Sequence, residues 1–170
     1  MGEFGMVMSG IVVGSLATLF LLHDLGPRRA AFAVRAVDAA ATRPLRHEVL
    51  RPHQAVETIV YDAEDDPATL HLGAFVDGAL VGIATIHPDG ERTFRVRGMA
   101  VRDGSRGDGI GSALLDGLLA HADDRGATLV WCNARMTARR FYERRGFVAV
   151  SDEWEEPSMG PHVRMERRLG

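Results

Sequence analysis

The chain has 170 residues, 46% of them hydrophobic and 25% charged, with a formal net charge of -3. Those values describe one soluble globular domain with a real core, and they give no global electrostatic reason for a nucleic-acid partner. The single cysteine, Cys132, excludes an intramolecular disulfide and a thiolate zinc cluster, which fits a reducing cytoplasm.

The first thirty residues stand apart. Gly10 to Leu22 is strongly apolar, yet the run falls short of the roughly 20 residues that span a bilayer, and only Glu3 is charged ahead of it. Neither a membrane span nor a secretory signal is expected. Residues 1–30 are read as an N-terminal extension whose role stays open between an added helix, a dimer contact, a tag remnant and a mis-called start. The working domain is residues 31–170, and a homodimer remains one open assembly.

From Ala31, Phe32, Val34 and Val37 alternate with polar neighbours, the period of a half-buried strand. Leu45, Val49 and Leu50 then follow at helical spacing up to Pro52, which predicts a short helix, and Asp62 to Thr69 reads as a surface loop. Leu70 to Val76, Leu80 to Ile86 and Thr93 to Val101, joined at Asp77-Gly78 and Asp89-Gly90, predict three antiparallel strands. Ile110, Leu114, Leu118, His121 and Ala122 form one stripe of a helix ending near Gly126. The apolar run Ala127 to Asn133 predicts a central strand, Thr137 to Arg145 a helix closed by Gly146, and Phe147 to Val150 and His162 to Leu169 two last strands. The order predicts a mixed α/β fold around one sheet.

The seven histidines show no pairing at the i, i+4 spacing of a helical metal site, so no metal is expected and most are read as surface or helix-end residues. Arginines cluster at Arg135, Arg139, Arg140, Arg144 and Arg145.

Between a strand and a helix lies Arg106-Gly107-Asp108-Gly109-Ile110-Gly111-Ser112. The first N–H groups of a helix lack internal partners and face an incoming anion, an effect the helix dipole strengthens. Glycines at Gly107, Gly109 and Gly111 let a phosphate approach them. The loop lacks the Gly-Lys-Ser/Thr ending of a P-loop, and it follows an antiparallel set instead of opening a βαβ dinucleotide unit.

This loop resembles the R/Q-x-x-G-x-G/A element of the GNAT family of N-acetyltransferases, with Arg106, Gly109 and Gly111 in the defined places and Met99-Ala100-Val101 as the preceding strand end. Phe141 to Phe147, "FYERRGF", resembles the family's second hallmark, and the C-terminal run from Phe147 resembles an ElaA-like branch. The resemblance covers about residues 31–169. It implies a GNAT-type acyl-CoA N-acyltransferase fold and acetyl-CoA as cosubstrate, with pyrophosphate on the amides from Arg106 to Ser112 and pantetheine along Met99 to Val101. It also implies a strand bulge that turns the Met99 N–H toward the thioester carbonyl, and Tyr142 as the residue that protonates the departing thiolate. By pattern alone, Tyr142 reads equally well as a helix core residue.

Two positions depart from the family pattern. Asp108 stands where a basic or neutral residue is usual, and Arg135 replaces an asparagine, with Asn133 two positions earlier. Arg135 and Arg139 can meet CoA phosphates electrostatically. The amine acceptor must lose a proton, and Glu48, Glu57, Glu91, Glu155, Glu156 and His162 are candidate bases. An acidic lip at Glu153, Glu155 and Glu156 suits a cationic acceptor, or is a solvated face.

The expected function is acetyl transfer from acetyl-CoA to a small-molecule or peptide primary amine in a ternary complex, without nucleic acid or membrane. The alternatives are a non-catalytic acyl-CoA sensor or partner domain on the same fold, and a nucleotide-binding regulator.

Overall fold

A computed structural model describes residues 31–170; the apolar run of Gly10 to Leu22 and its proposed roles lie outside the described residues. Strand β1 (Ala33–Ala36) precedes helix α1 (Ala39–Leu50), and β2 (Leu70–Val76), β3 (Ala79–Pro88) and β4 (Thr93–Val101) follow. Helix α2 (Ile110–Asp124), β5 (Leu129–Arg135), α3 (Arg139–Glu143), β6 (Val148–Ala149), β7 (Trp154–Glu156) and β8 (Gly160–Arg168) complete the order.

One sheet runs β1-β2-β3-β4-β5-β8-β6, with β7 also on β8. Its neighbours are antiparallel except β4 and β5, which α2 connects and which run parallel. The β2–β3 turn is made by Asp77 and Gly78, at φ +48° and +80°. Positive φ at both central residues matches the right-handed twist of the strands it joins, which explains why Asp-Gly was readable as a hairpin.

The alternation along β4 divides the core. Phe94 and Val96 pack with Leu114, Leu115 and Leu118 of α2 on one face of the sheet. Leu45 of α1 packs with Ile83 and Ala100 in a second cluster, extended by Val49 and Leu50. The predicted α2 stripe is buried at Ile110, Leu114, Leu118 and Ala122, with Leu115 and Leu119 added, while His121 is only half-buried.

Several local expectations are corrected. Helix α1 begins at Ala39, ahead of Thr42, and holds Pro44 inside it; a proline there has no N–H to give the carbonyl four residues back. The segment from Thr137 begins as a 3-10 turn, Met136–Ala138, and becomes α-helical only over Arg139–Glu143. Strand β7, which was not among the predicted elements, exists through its pairing of Trp154 with His162. The Asp62 to Thr69 loop turns Glu64 inward, where it is 8% exposed and bonded to Arg43 and Arg46. His71, His87 and His162 are buried, not surface residues. Each closes a polar contact: His71 Nδ1 with Thr85 Oγ1 at 2.8 Å, and His87 and His162 Nδ1 with backbone carbonyls.

Candidate active site

The centre of the sheet comes apart. Strands β4 and β5 pair only at Thr93 with Leu129, Phe94 with Val130 and Arg95 with Trp131, although they continue to Val101 and Arg135. Beyond Arg95 the facing backbone edges have no ladder partner among the described residues, and an unpaired edge of this kind is able to accept an extended ligand as an added strand. A cavity of about 230 Å³ lies at this parting, lined from both strands, from the end of α1 and from Glu156, Met159 and His162.

A bulge marks β4 at the same level. Ile83 is opposite Ala100 and Thr85 opposite Arg97, so Ala84 of β3 faces two residues, Gly98 and Met99. Gly98 has φ +59°, and a Cβ there would stand 2.8 Å from Tyr61 Cε2. Glycine thus answers both a backbone conformation costly to L side chains and the close approach of an aromatic ring. The bulge moves Met99 and Val101 onto the core of α2, while Arg95 and Arg97 keep the opposite face.

Tyr142 is brought to Met99 by α3. Its ring is buried, edge-on to Phe141 and Phe147, and its hydroxyl donates to Met99 Sδ at 3.5 Å. Burial first, and then the Cys132 thiol beside it, raises the phenol pKa well above its ordinary value. Tyr142 is therefore both a core residue and a wall of the cavity.

The glycine loop lies at the other end of the parting. Arg106 is largely exposed, pairs with Asp103 at 2.7 Å, and its Nε donates to the Val101 carbonyl at 3.0 Å, tying the loop to the strand end. Gly107 and Gly109 both have φ +89°, and Gly109 starts α2 without any side-chain cap. The first amides of α2 at Ile110, Gly111 and Ser112 thus have no helical acceptor. Ile110 anchors the turn in the core, 1% exposed, while Asp108 is half-buried and makes no ion pair among the described residues.

Of the six candidate bases, only Glu156 and His162 reach the cavity wall. Glu48 is bound by Arg102 at 2.7 Å, and Glu57, Glu91 and Glu155 are exposed elsewhere. The basic cluster is also dispersed: Arg139 pairs with Glu143 at 2.7 Å, Arg145 with Asp116 at 3.1 Å, and Arg135 donates to the Leu50 carbonyl at 2.9 Å. Tyr61, Arg95 and Arg97 line the cavity and were missed from sequence. The available signal was the alternation of Arg95 and Arg97 around apolar Val96 in a strand, which puts both arginines on one face. Among the described residues, no cluster of metal-ligating side chains and no helix long and apolar enough to cross a membrane is found.

A mixed sheet parted at its centre in this way is the frame of an acyltransferase enzyme. A family model described as an acetyltransferase (GNAT) domain matches residues 35–169, and the chain belongs to the GNAT acetyltransferase family. It is similar to the uncharacterized N-acetyltransferase YitI of Bacillus subtilis, 32% identical over 142 residues that cover 80% of this chain and 95% of that protein. Among solved structures it is similar to Escherichia coli ElaA, with TM-score 0.62, 21% identity, and coverage of 81% and 99% of the two chains. It is similar as well to the ribosomal-protein-S18-alanine N-acetyltransferase of Escherichia coli, with TM-score 0.65, 17% identity, and coverage of 81% and 94%. At those identities the two structures speak for the fold.

Proposed function

We propose that the protein moves an acetyl group from acetyl-CoA to a primary amine by direct attack in a ternary complex. The observation that carries this reading is the parting of β4 from β5 beside the Gly98 bulge, with Tyr142 in the wall of the open cavity there. The cradle fits the cosubstrate: the uncapped start of α2 suits its phosphates and the open strand edge suits an extended amide-bearing arm. Acetyl-CoA, when bound, supplies an acyl carbon already activated as a thioester.

The amides of residues 106–112 would hold the pyrophosphate, and Met99, Ala100 and Val101 would align the arm. The Met99 N–H would donate to the thioester carbonyl oxygen as charge builds there, a contribution of about 3 kcal/mol for a donor of this kind. The Tyr142 hydroxyl, with its pKa raised further by burial, is protonated at neutral pH and would hold the proton for the departing sulfur.

His162 supports the other transfer. Its Nδ1–H donates to the Gly160 carbonyl at 2.7 Å, which leaves the Nε2 lone pair free to accept the amine proton, directly or through water. Glu156, whose carboxylate also accepts from Trp154 Nε1 at 3.1 Å, is the second group in reach. One N–C bond forms and one C–S bond breaks, and the proton lost by nitrogen is matched by one gained at sulfur. The cavity beyond Met99 gives an acceptor a place, which a cofactor sensor has no need of.

Calorimetric titration of the full chain with acetyl-CoA, CoA and ADP tests the cosubstrate. The two CoA species are expected to bind, ADP at least about tenfold more weakly, and Gly109→Glu to abolish binding by placing a charged side chain in the phosphate cradle. A folded protein that binds neither CoA species overturns the reading.

A further inference from the structure

The wall of the acceptor cavity is built from arginine. Arg51, Arg95, Arg97 and Arg135 line it against the single carboxylate of Glu156. Among the described residues none of the four is in an ion pair. Arg51 donates to Gln54 Oε1 at 3.3 Å and Arg135 to the Leu50 carbonyl, but Arg95 and Arg97 have no hydrogen-bond acceptor among the described residues, and the Arg95 Nε is buried.

These two guanidiniums are nevertheless held in place. Arg95 lies 4.3 Å over the Trp131 ring and Arg97 4.2 Å over the Tyr61 ring. Stacking engages the guanidinium face and leaves the in-plane N–H fork free, the geometry that grips a carboxylate or phosphate. Two like charges on one strand face are unfavourable by themselves, and burial, followed by the nearby Arg97, lowers the Arg95 pKa.

The surrounding carboxylates have other partners. Asp89 accepts from Trp131 Nε1 at 2.8 Å, Glu64 binds Arg43 and Arg46, and Glu166 binds Arg164 at 3.1 Å. Glu153 and Glu155, which suggested an acidic lip, are exposed and do not line the cavity.

We infer that the acceptor is a small primary amine that also carries a carboxylate or a phosphate, gripped by Arg95 and Arg97 with its amine at Met99. Arg97 precedes Met99 by two residues, about 7 Å of strand, so one small molecule spans both. The cavity of about 230 Å³ admits a ligand of amino-acid size. This inference rests on the acetyltransferase reading, and its test is separable from the acetyl-CoA titration.

The test is steady-state acetyl transfer by the full chain to matched acceptors: β-alanine against β-alaninamide, phosphoethanolamine against ethanolamine, and 1,3-diaminopropane as a cation. The anionic member of at least one pair is expected to lead in kcat/KM by about 50-fold, the scale of a charge-assisted hydrogen-bonded contact. The leading pair tells carboxylate from phosphate. Arg97→Gln is expected to raise KM for the anionic acceptor about tenfold or more while moving that of its neutral partner less than about twofold, and Arg97→Lys to restore part of the loss. Parity within both pairs, or preference for the diamine, overturns the inference. If acetyl-CoA binds but none of these amines is acetylated, glutarate and inorganic phosphate are titrated calorimetrically. Binding of either, lost in the Arg95→Gln/Arg97→Gln double variant, upholds the anion site, and no binding of either overturns it.

Discussion

The Tyr142 hydroxyl meets the Met99 sulfur at 3.5 Å, although 43 positions separate them in sequence. One comes from the bulged strand β4 and the other from the short helix α3, and they meet where β4 and β5 have parted. The proposed proton donor and the proposed oxyanion donor thus come from a helix and a strand of the folded frame.

Replacing Tyr142 with Phe keeps the ring packing and removes only the hydroxyl. Turnover is expected to fall about 100-fold, in the range of lost general-acid help, with acetyl-CoA affinity unchanged within about twofold. Unchanged turnover, with chemistry rate-limiting, would take Tyr142 out of the proton path.

Gly98→Ala sets a methyl group 2.8 Å from Tyr61 and asks alanine to hold φ +59°. A cost of about 2 kcal/mol and a Tm lowered by roughly 4–8 °C are expected. Repeating the change in a Tyr61→Leu background relieves the contact but not the dihedral, so partial recovery of Tm is the outcome that assigns a share to each.

Arg46, which lies 3.9 Å over the same aromatic ring, binds Glu64. Burial opposes its charge, but the hydrogen bonds from Arg46 and Arg43 win and hold its pKa below the ordinary 4.5. The stability this contributes is complete above about pH 4.5 and is lost as pH falls through the lower folded value. Glu64→Gln is expected to cost about 3 kcal/mol near neutrality by leaving Arg46 buried and unpaired. The gap to wild type should narrow in acid, and urea midpoints at pH 7 and pH 3.5 measure it.

Cys132 is 1% exposed, and burial pushes its thiol up to about 12. At pH 8 only about one thiol in ten thousand is ionised, so native protein should resist iodoacetamide for hours and react at once in denaturant. Rapid alkylation of the folded protein would mean that the β5 face opens readily.

The sequence made the hairpin at Asp77-Gly78 and the helix from Ile110 legible because their signals are local: a turn that demands positive φ, and a stripe at helical spacing. The glycine loop was legible for the same reason. The parting of β4 and β5 was not, since it depends on how two strands separated by α2 diverge. Glu64 sits in a polar stretch with no periodicity and Tyr61 at its edge, and arginines of other elements hold both inside. Strand β7 is three residues long and exists through β8 alone. The roles of Arg95 and Arg97 also needed tertiary contacts, because alternation sets the face of a strand but not what stands opposite it.

The extra residue at Gly98 acts as a half-period phase slip in the alternation of β4. In the proposed reading, side chains upstream of it grip the acceptor and backbone downstream of it aligns the acyl donor. On that reading, changes at Arg95 or Arg97 are expected to alter acceptor choice while leaving the acyl-donor half intact. Deleting Gly98 would remove only the extra residue: Arg97 would still oppose Thr85 and Ala100 would still oppose Ile83, so the side-chain faces would survive and the local distortion of the backbone would be lost.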